Sequence, residues 1–153
     1  MHQYEAKVSW NRNGAVFTDI KYSRGHEWSF DGGIKVPASS SPLTVRPPLS
    51  VVEAIDPEEA LVAAASSCHM LYFLFFAAKK GFVVDGYIDN AVGLMEKTPN
   101  GKTAITKITL RPQIKYSGEK IPSALELSEM HHHAHEECII ANSIKSEIVI
   151  ESA

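Results

Sequence analysis

Cys68 and Cys138 are the only thiols in a chain of 153 residues. Their wide separation excludes a CxxC redox or zinc-ribbon motif and a disulfide-dense framework, so they act as a long-range pair or as single thiols. A thiol becomes nucleophilic as its thiolate, which an Arg, Lys, protonated His or helix N-terminus must stabilise. Cys68 falls too far inside a helical stretch to feel that helix's N-terminus, so a cation has to come from elsewhere. Arg46 is the nearest arginine in sequence, and Glu58 is an acid able to hold its guanidinium in a bidentate pair. Read singly, Arg46 is equally a solvated loop residue, Glu58 a helix-terminal acid, and each cysteine a small buried hydrophobe.

A second constellation is His131-His132-His133 with His135, one helical turn from His131 on a face that also carries Leu127, Ala134 and Cys138. Together with Cys68 this group offers nitrogen and sulfur for a zinc site. It lacks the acid of a His-Glu-x-x-His motif and any CxxC partner, so no metal ligand is assigned. The simpler reading is a half-exposed helix face with some imidazoles at the mouth of a site. Tyr72, Phe73, Phe75 and Phe76 read as core, or as an apolar wall beside the Cys68 thiol. Tyr72, Phe75, His69 and His135 are the candidate substrate contacts.

The elements that must position these residues are legible in outline. Forty-four per cent of the residues are hydrophobic, enough for one self-supporting domain over 1–153, and a net charge of −3 lacks the basic footprint of a nucleic-acid binder. His2, Glu5, Lys7, Asn11, Arg12 and Asp19 interrupt the first twenty residues, which leaves no signal-peptide core and points to a cytoplasmic chain. The apolar stretch Ala60–Ala78 would just span a bilayer. Its flanks, Pro57-Glu58-Glu59 and Lys79-Lys80-Gly81, instead read as helix start and stop signals, which favours the centre of a globular protein or a dimer interface over a membrane.

Strands are expected at Ala6–Trp10, Val16–Tyr22 and Glu27–Phe30, with Asn11–Gly14 as a hairpin turn, then an irregular connection over Gly32–Pro48. Asp56 caps the apolar helix, which runs to about Lys80. Val84–Met95 and Thr103–Tyr116 follow as strands joined by Thr98-Pro99-Asn100-Gly101, with a bulge near Thr106-Lys107. A helix from Pro122 to about Glu137 and a strand over Ser143–Ile150 complete a βββ-α-ββ-α-β order. This is an α+β pattern, with helices packed on antiparallel sheets.

Asp56-Pro57-Glu58-Glu59-Ala60-Leu61, followed by small residues and Ala65-Ser66-Ser67-Cys68, resembles the Asn-Pro-Glu-Glu-Leu…Ala-Cys signature of the OsmC/Ohr family of osmotically inducible and organic-hydroperoxide-resistance proteins. Gly101…Ala104-Ile105-Thr106-Lys107-Ile108 resembles a strand of that family, and Ala134-His135-Glu136-Glu137-Cys138 the helix bearing its second cysteine. The resemblance implies an interlocked homodimer that reduces organic hydroperoxides, with Cys68 as peroxidatic cysteine, Cys138 as resolving cysteine and Glu58 holding an arginine. Arg46 lies a couple of positions further from Pro57-Glu58-Glu59 than the arginine of the OsmC branch, and the Ohr branch, whose arginine lies in the N-terminal sheet region, points to Arg24 instead. No cofactor is implied; an external dithiol or lipoyl-type reductant is. Ile139-Ile140 after Cys138, where the family commonly has proline, and His69 after Cys68 mark a divergent subgroup. The rival expectation is a non-catalytic protein of the same fold that holds a small apolar ligand between subunits.

Overall fold

Asp56 accepts the backbone N–H of Glu59 through its side chain at 2.8 Å, and Pro57, whose fixed φ suits a first helical turn, follows it. The helix α1 therefore begins at Pro57 and runs to Lys79 in the computed structural model, which describes residues 1–151. It ends where Gly81 takes a φ of +84° and the Phe82 N–H turns back to the Ala77 carbonyl at 2.9 Å. The chain groups into two compact units, Met1–Ala60 and Leu61–Ala153, and α1 starts in the first and continues through the second.

The first unit holds an antiparallel meander of β1 (Lys7–Ser9), β2 (His26–Ser29) and β3 (Lys35–Ala38). Two expectations change here. Val16–Tyr22 forms no strand: Ile20 sits at φ +62° and its N–H closes a turn on Phe17 at 3.1 Å. The aromatic character that suggested a strand is used instead in a local cluster, with Phe17 stacked on Tyr22 at 4.8 Å and Trp10 edge-on to Tyr22 at 5.5 Å. The segment expected to be irregular contains β3, because the Gly32-Gly33 turn lets Val36 and Ala38 pair back onto Trp28 and His26.

In the second unit both long strands are broken in two. Asn90-Ala91 separates β4 (Val83–Asp89) from β5 (Val92–Lys97), and Arg111 separates β6 (Thr103–Leu110) from β7 (Pro112–Ser117). β4 pairs with β7 in one sheet; β5, β6 and β8 (Glu147–Ile150) form another. The expected bulge is present, since Leu94 faces Lys107 and Met95 faces Ile105, leaving Thr106 unopposed. The other strand pairs are antiparallel as expected, and β8 joins β6 in parallel. The chain between them, through β7, a helix over Ala124–Glu137 and the short helix α3 (Ile139–Ser143), the last unforeseen in the sequence, supplies the crossover that a parallel pair requires.

Helix α2 (Ala124–Glu137) starts at a capping box. The Ser123 hydroxyl accepts the Glu126 N–H, while the Glu126 carboxylate accepts the Ser123 N–H. That hydrogen bond from the Ser123 backbone holds the Glu126 carboxyl below its usual range. Phe73, Ala77, Phe82, Met130 and Ala134 form one buried cluster; Ala65, Ile108 and Leu110 form another. By length and composition α1 could cross a membrane. Within this chain it buries only the Ala65, His69, Phe73, Ala77 stripe, and Leu71 and Phe75 remain 60% and 58% exposed.

Candidate active site

The face of α1 that packs inward carries His69 and Phe73, one turn apart, with Cys68 at its margin. The facing side of α2 carries His131, Ala134 and His135, and leads to Cys138 at its C-cap. Along this seam the Cys138 thiol lies close enough to Cys68 for the two sulfurs to influence each other's ionisation. Both cysteines are free; Cys68 is half-buried and Cys138 is 1% exposed. Two thiols widely separated in sequence thus meet in the second unit.

Their surroundings differ. Burial pushes the Cys138 thiol up to about 11, partly offset by the Ala141 N–H that its sulfur accepts at 3.4 Å and reinforced by the neighbouring Cys68. Cys138 is accordingly a protonated thiol at neutral pH. It also links two helices, ending α2 and capping the N-terminus of α3.

His69 Nε2 and His131 Nδ1 lie 2.9 Å apart, their rings stacked at 5.2 Å, and Phe73 stacks on His131 at 4.5 Å. One imidazole must donate and the other accept, which two neutral rings do with complementary tautomers. Burial holds each at about 4; for His69 the proximity of His131 and His135 adds to the depression, while Asp89 opposes it at His131. Asp89, at the end of β4, is itself engaged by the Ser66 hydroxyl and by the Arg111 N–H. Tyr87 and Tyr116, on paired strands, bury hydroxyls that have no partner among the described residues, and burial raises both pKa values.

The other expected site residues are placed as follows. His69, expected among the substrate contacts, is 1% exposed and hydrogen-bonded to His131, because its α1 position faces the core. Tyr72 packs half-buried against the Phe73 cluster, and Phe75 points outward. The ring nitrogen Nδ1 of His135 is buried and has no hydrogen-bond partner among the described residues. Glu58 lies in the first turn of α1, and Arg46 is exposed, with no ion pair between them among the described residues. Arg24 is committed locally: its guanidinium donates to the carbonyls of Ile20 and Tyr22 and lies 3.9 Å from the Tyr22 ring centroid. No three His, Cys, Asp or Glu among the described residues are grouped to hold a metal. The zinc alternative loses its ligands because His131 turns to His69, His132 pairs with Glu136 at 3.1 Å and His133 lies against Phe76. His131 was absent from the expected site, although its place on the Cys138 face of α2 was a usable signal.

A family model described as OsmC-like protein matches residues 51–153. No curated protein matches the chain. An OsmC-like protein of unknown function from Vibrio cholerae superposes with a TM-score of 0.98 at 52% identity, each chain covered in full. An organic hydroperoxide resistance protein from Elizabethkingia anophelis gives a TM-score of 0.71 at 13% identity, over 99% of this chain and 94% of that one. The organic hydroperoxide resistance protein OhrB of Bacillus subtilis gives 0.69 at 13% identity, over 99% and 98%. At 13% identity these last two show the fold alone.

Proposed function

This chain belongs to the OsmC-like family, and from that premise we propose that it is a thiol peroxidase that reduces organic hydroperoxides. The observation that supports this most directly is the approach of Cys138 to Cys68 across the α1–α2 seam. Cys68, the more exposed thiol, is the first nucleophile. Its thiolate attacks the distal oxygen of the hydroperoxide, the O–O bond breaks, and the alkoxide leaves as alcohol after taking a proton. The Cys68 sulfenic acid then condenses with the Cys138 thiol, forming a disulfide and releasing water. An external dithiol, of lipoyl or another type, returns both cysteines to thiols.

Arg46 is the candidate cation for the Cys68 thiolate and Glu58 its candidate partner, by the resemblance given above. Arg24 is the weaker candidate, because its guanidinium is already bonded to two carbonyls. The working unit in this reading is a cytoplasmic homodimer, supported by the length of apolar α1 surface left uncovered in one chain.

Single-turnover consumption of an alkyl hydroperoxide tests the reading. The parent protein should consume one equivalent and lose two hydrogens as a Cys68–Cys138 disulfide, and Cys68→Ser should abolish consumption. Cys138→Ser should still react once and leave a sulfenic acid that a dimedone-type nucleophile traps. If Cys68→Ser consumes peroxide as fast as the parent, Cys68 is not the nucleophile and the mechanism fails; a parent that consumes none is a non-catalytic member of its family.

A further inference from the structure

Cys138 serves two elements at once. It ends α2 with an extended backbone, φ −61° and ψ 111°, and its sulfur caps the start of α3, accepting the Ala141 N–H at 3.4 Å and feeling the Ile140 N–H as well. None of the five residues of α3 is fully buried, Ile139 is 60% exposed, and Ile140 packs half-buried on the Ala65 cluster. The helix is further held by the Asn142 N–H on the Cys138 carbonyl at 3.0 Å and by the Asn142 side-chain amide on the Glu136 carbonyl at 2.9 Å. A helix this short does not stand by itself in water, so its cap and these few bonds decide whether it forms. Cys68 lies on the rigid side of the pair. Its helix α1 is fixed by Ser66 on Asp89, by His69 on His131 and by Val62 close against Gly93.

We propose that closing the Cys68–Cys138 disulfide uncaps α3, and that the loosened α3 is the opening through which an external dithiol reaches the Cys138 sulfur. This rests on the thiol-pair reading above and adds to it the route of the reductant. Bonded sulfurs stand closer than two thiols in contact, so one sulfur has to travel. With α1 anchored along its length, the moving sulfur is that of Cys138, and it leaves the Ala141 N–H for Cys68. A helix start without its cap has donors with no acceptor, and the first turn of α3 loosens. The choice of sulfur follows from what must leave. Attack on Cys68 would expel Cys138 as a buried thiolate, which its surroundings disfavour. Attack on Cys138 expels the half-exposed Cys68, whose thiolate water solvates, but in the reduced protein Cys138 is only 1% exposed. Uncapping α3 removes that obstacle. One thiol of the reductant, its proton passing to the departing Cys68, bonds to the Cys138 sulfur as the S–S bond breaks. The second thiol then attacks this mixed disulfide, closes the reductant's own disulfide and gives its proton to Cys138, which returns to the Ala141 N–H.

Diamide, which takes two hydrogens from a pair of thiols without peroxide chemistry, makes the disulfide in the whole protein. Amide hydrogen exchange read by NMR should then show the Ala141 and Asn142 amides exchanging about fivefold faster than in the reduced protein, the scale of a lost cap. Residues 126–130 of α2 should stay within about twofold, since their own cap at Ser123 is untouched. Cys68→Ser and Cys138→Ser close no disulfide within the chain, and both should keep these amides protected under the same treatment, the hydroxyl introduced at position 138 taking over the cap. Brief exposure of the oxidised parent to a monothiol, 2-mercaptoethanol, followed by acid quenching and peptide mapping, should place the adduct on Cys138 and leave Cys68 free. The proposal is overturned by a disulfide form in which Ala141 and Asn142 are as protected as before, by loosening spread equally over α2, by an adduct on Cys68, or by a parent in which diamide closes no disulfide. If α3 loosens and the adduct forms on Cys138 while alkyl hydroperoxide is not consumed, the peroxidase reading fails and the role of α3 stands.

Discussion

Cys138 and the His69–His131 pair are governed by the same physical term, loss of hydration, with opposite signs for acid and base. Burial raises the thiol and lowers both imidazoles, because in each case the charged form is the one that loses water. For the histidines this sets a pH dependence of stability. In the unfolded chain both titrate near the ordinary 6.5, whereas in the folded chain they stay neutral down to about 4. Between those values the unfolded chain binds more protons. The pair's contribution is therefore complete above about pH 6.5 and is lost as the pH falls toward 4, on the order of 3 kcal/mol for each histidine. Urea unfolding at pH 7 and pH 5 should show this loss in the parent and a smaller one in His69→Phe/His131→Phe. Equal losses in the two proteins would mean that the pair does not carry the effect.

At the scale of elements, the contact between α1 and β5 depends on an absent side chain. A Cβ placed on Gly93 would come within 2.6 Å of Val62 Cγ2, closer than packed carbons allow. Gly93→Ala should cost about 1–3 kcal/mol by forcing the helix from the strand, and Val62→Ala should recover part of that loss. Additive losses in thermal unfolding of the double variant would show that the two positions do not share the strain. The starts of helices and tight turns were legible in the sequence for local reasons. Asp56-Pro57, Thr98–Gly101 and the Thr106 bulge all act through hydrogen bonds or dihedral limits within a few residues. Val16–Tyr22 misled because its aromatic, β-branched composition suits a strand face and a compact aromatic cluster alike. The breaks at Asn90-Ala91 and Arg111 were hidden because they are set by the separate sheets that each half joins.

At the scale of the whole molecule, the apolar length of α1 exceeds what one chain covers. Leu71 and Phe75, one turn apart, are both more than half exposed, and a second copy is the occupant proposed above for such a face. Leu71→Glu/Phe75→Glu should convert a dimer measured by light scattering into monomer or unfolded chain, while Ser123→Ala, at the α2 cap, should leave the association intact and cost only about 1 kcal/mol of stability. A parent protein that scatters as a monomer at micromolar concentration would remove the dimer from the reading.

Sequence alone determined the helix that carries Cys68, the helix that leads to Cys138, the α+β class and the family resemblance, since periodicity, caps and a local signature are written in contiguous residues. Tertiary structure alone decided that the thiols approach one another, that His69 faces His131 and leaves His135 Nδ1 without a partner among the described residues, and that Arg24 is held by its own loop. Those outcomes depend on how α1 and α2 cross and where a turn closes, distances between residues remote in sequence that no spacing along the chain encodes.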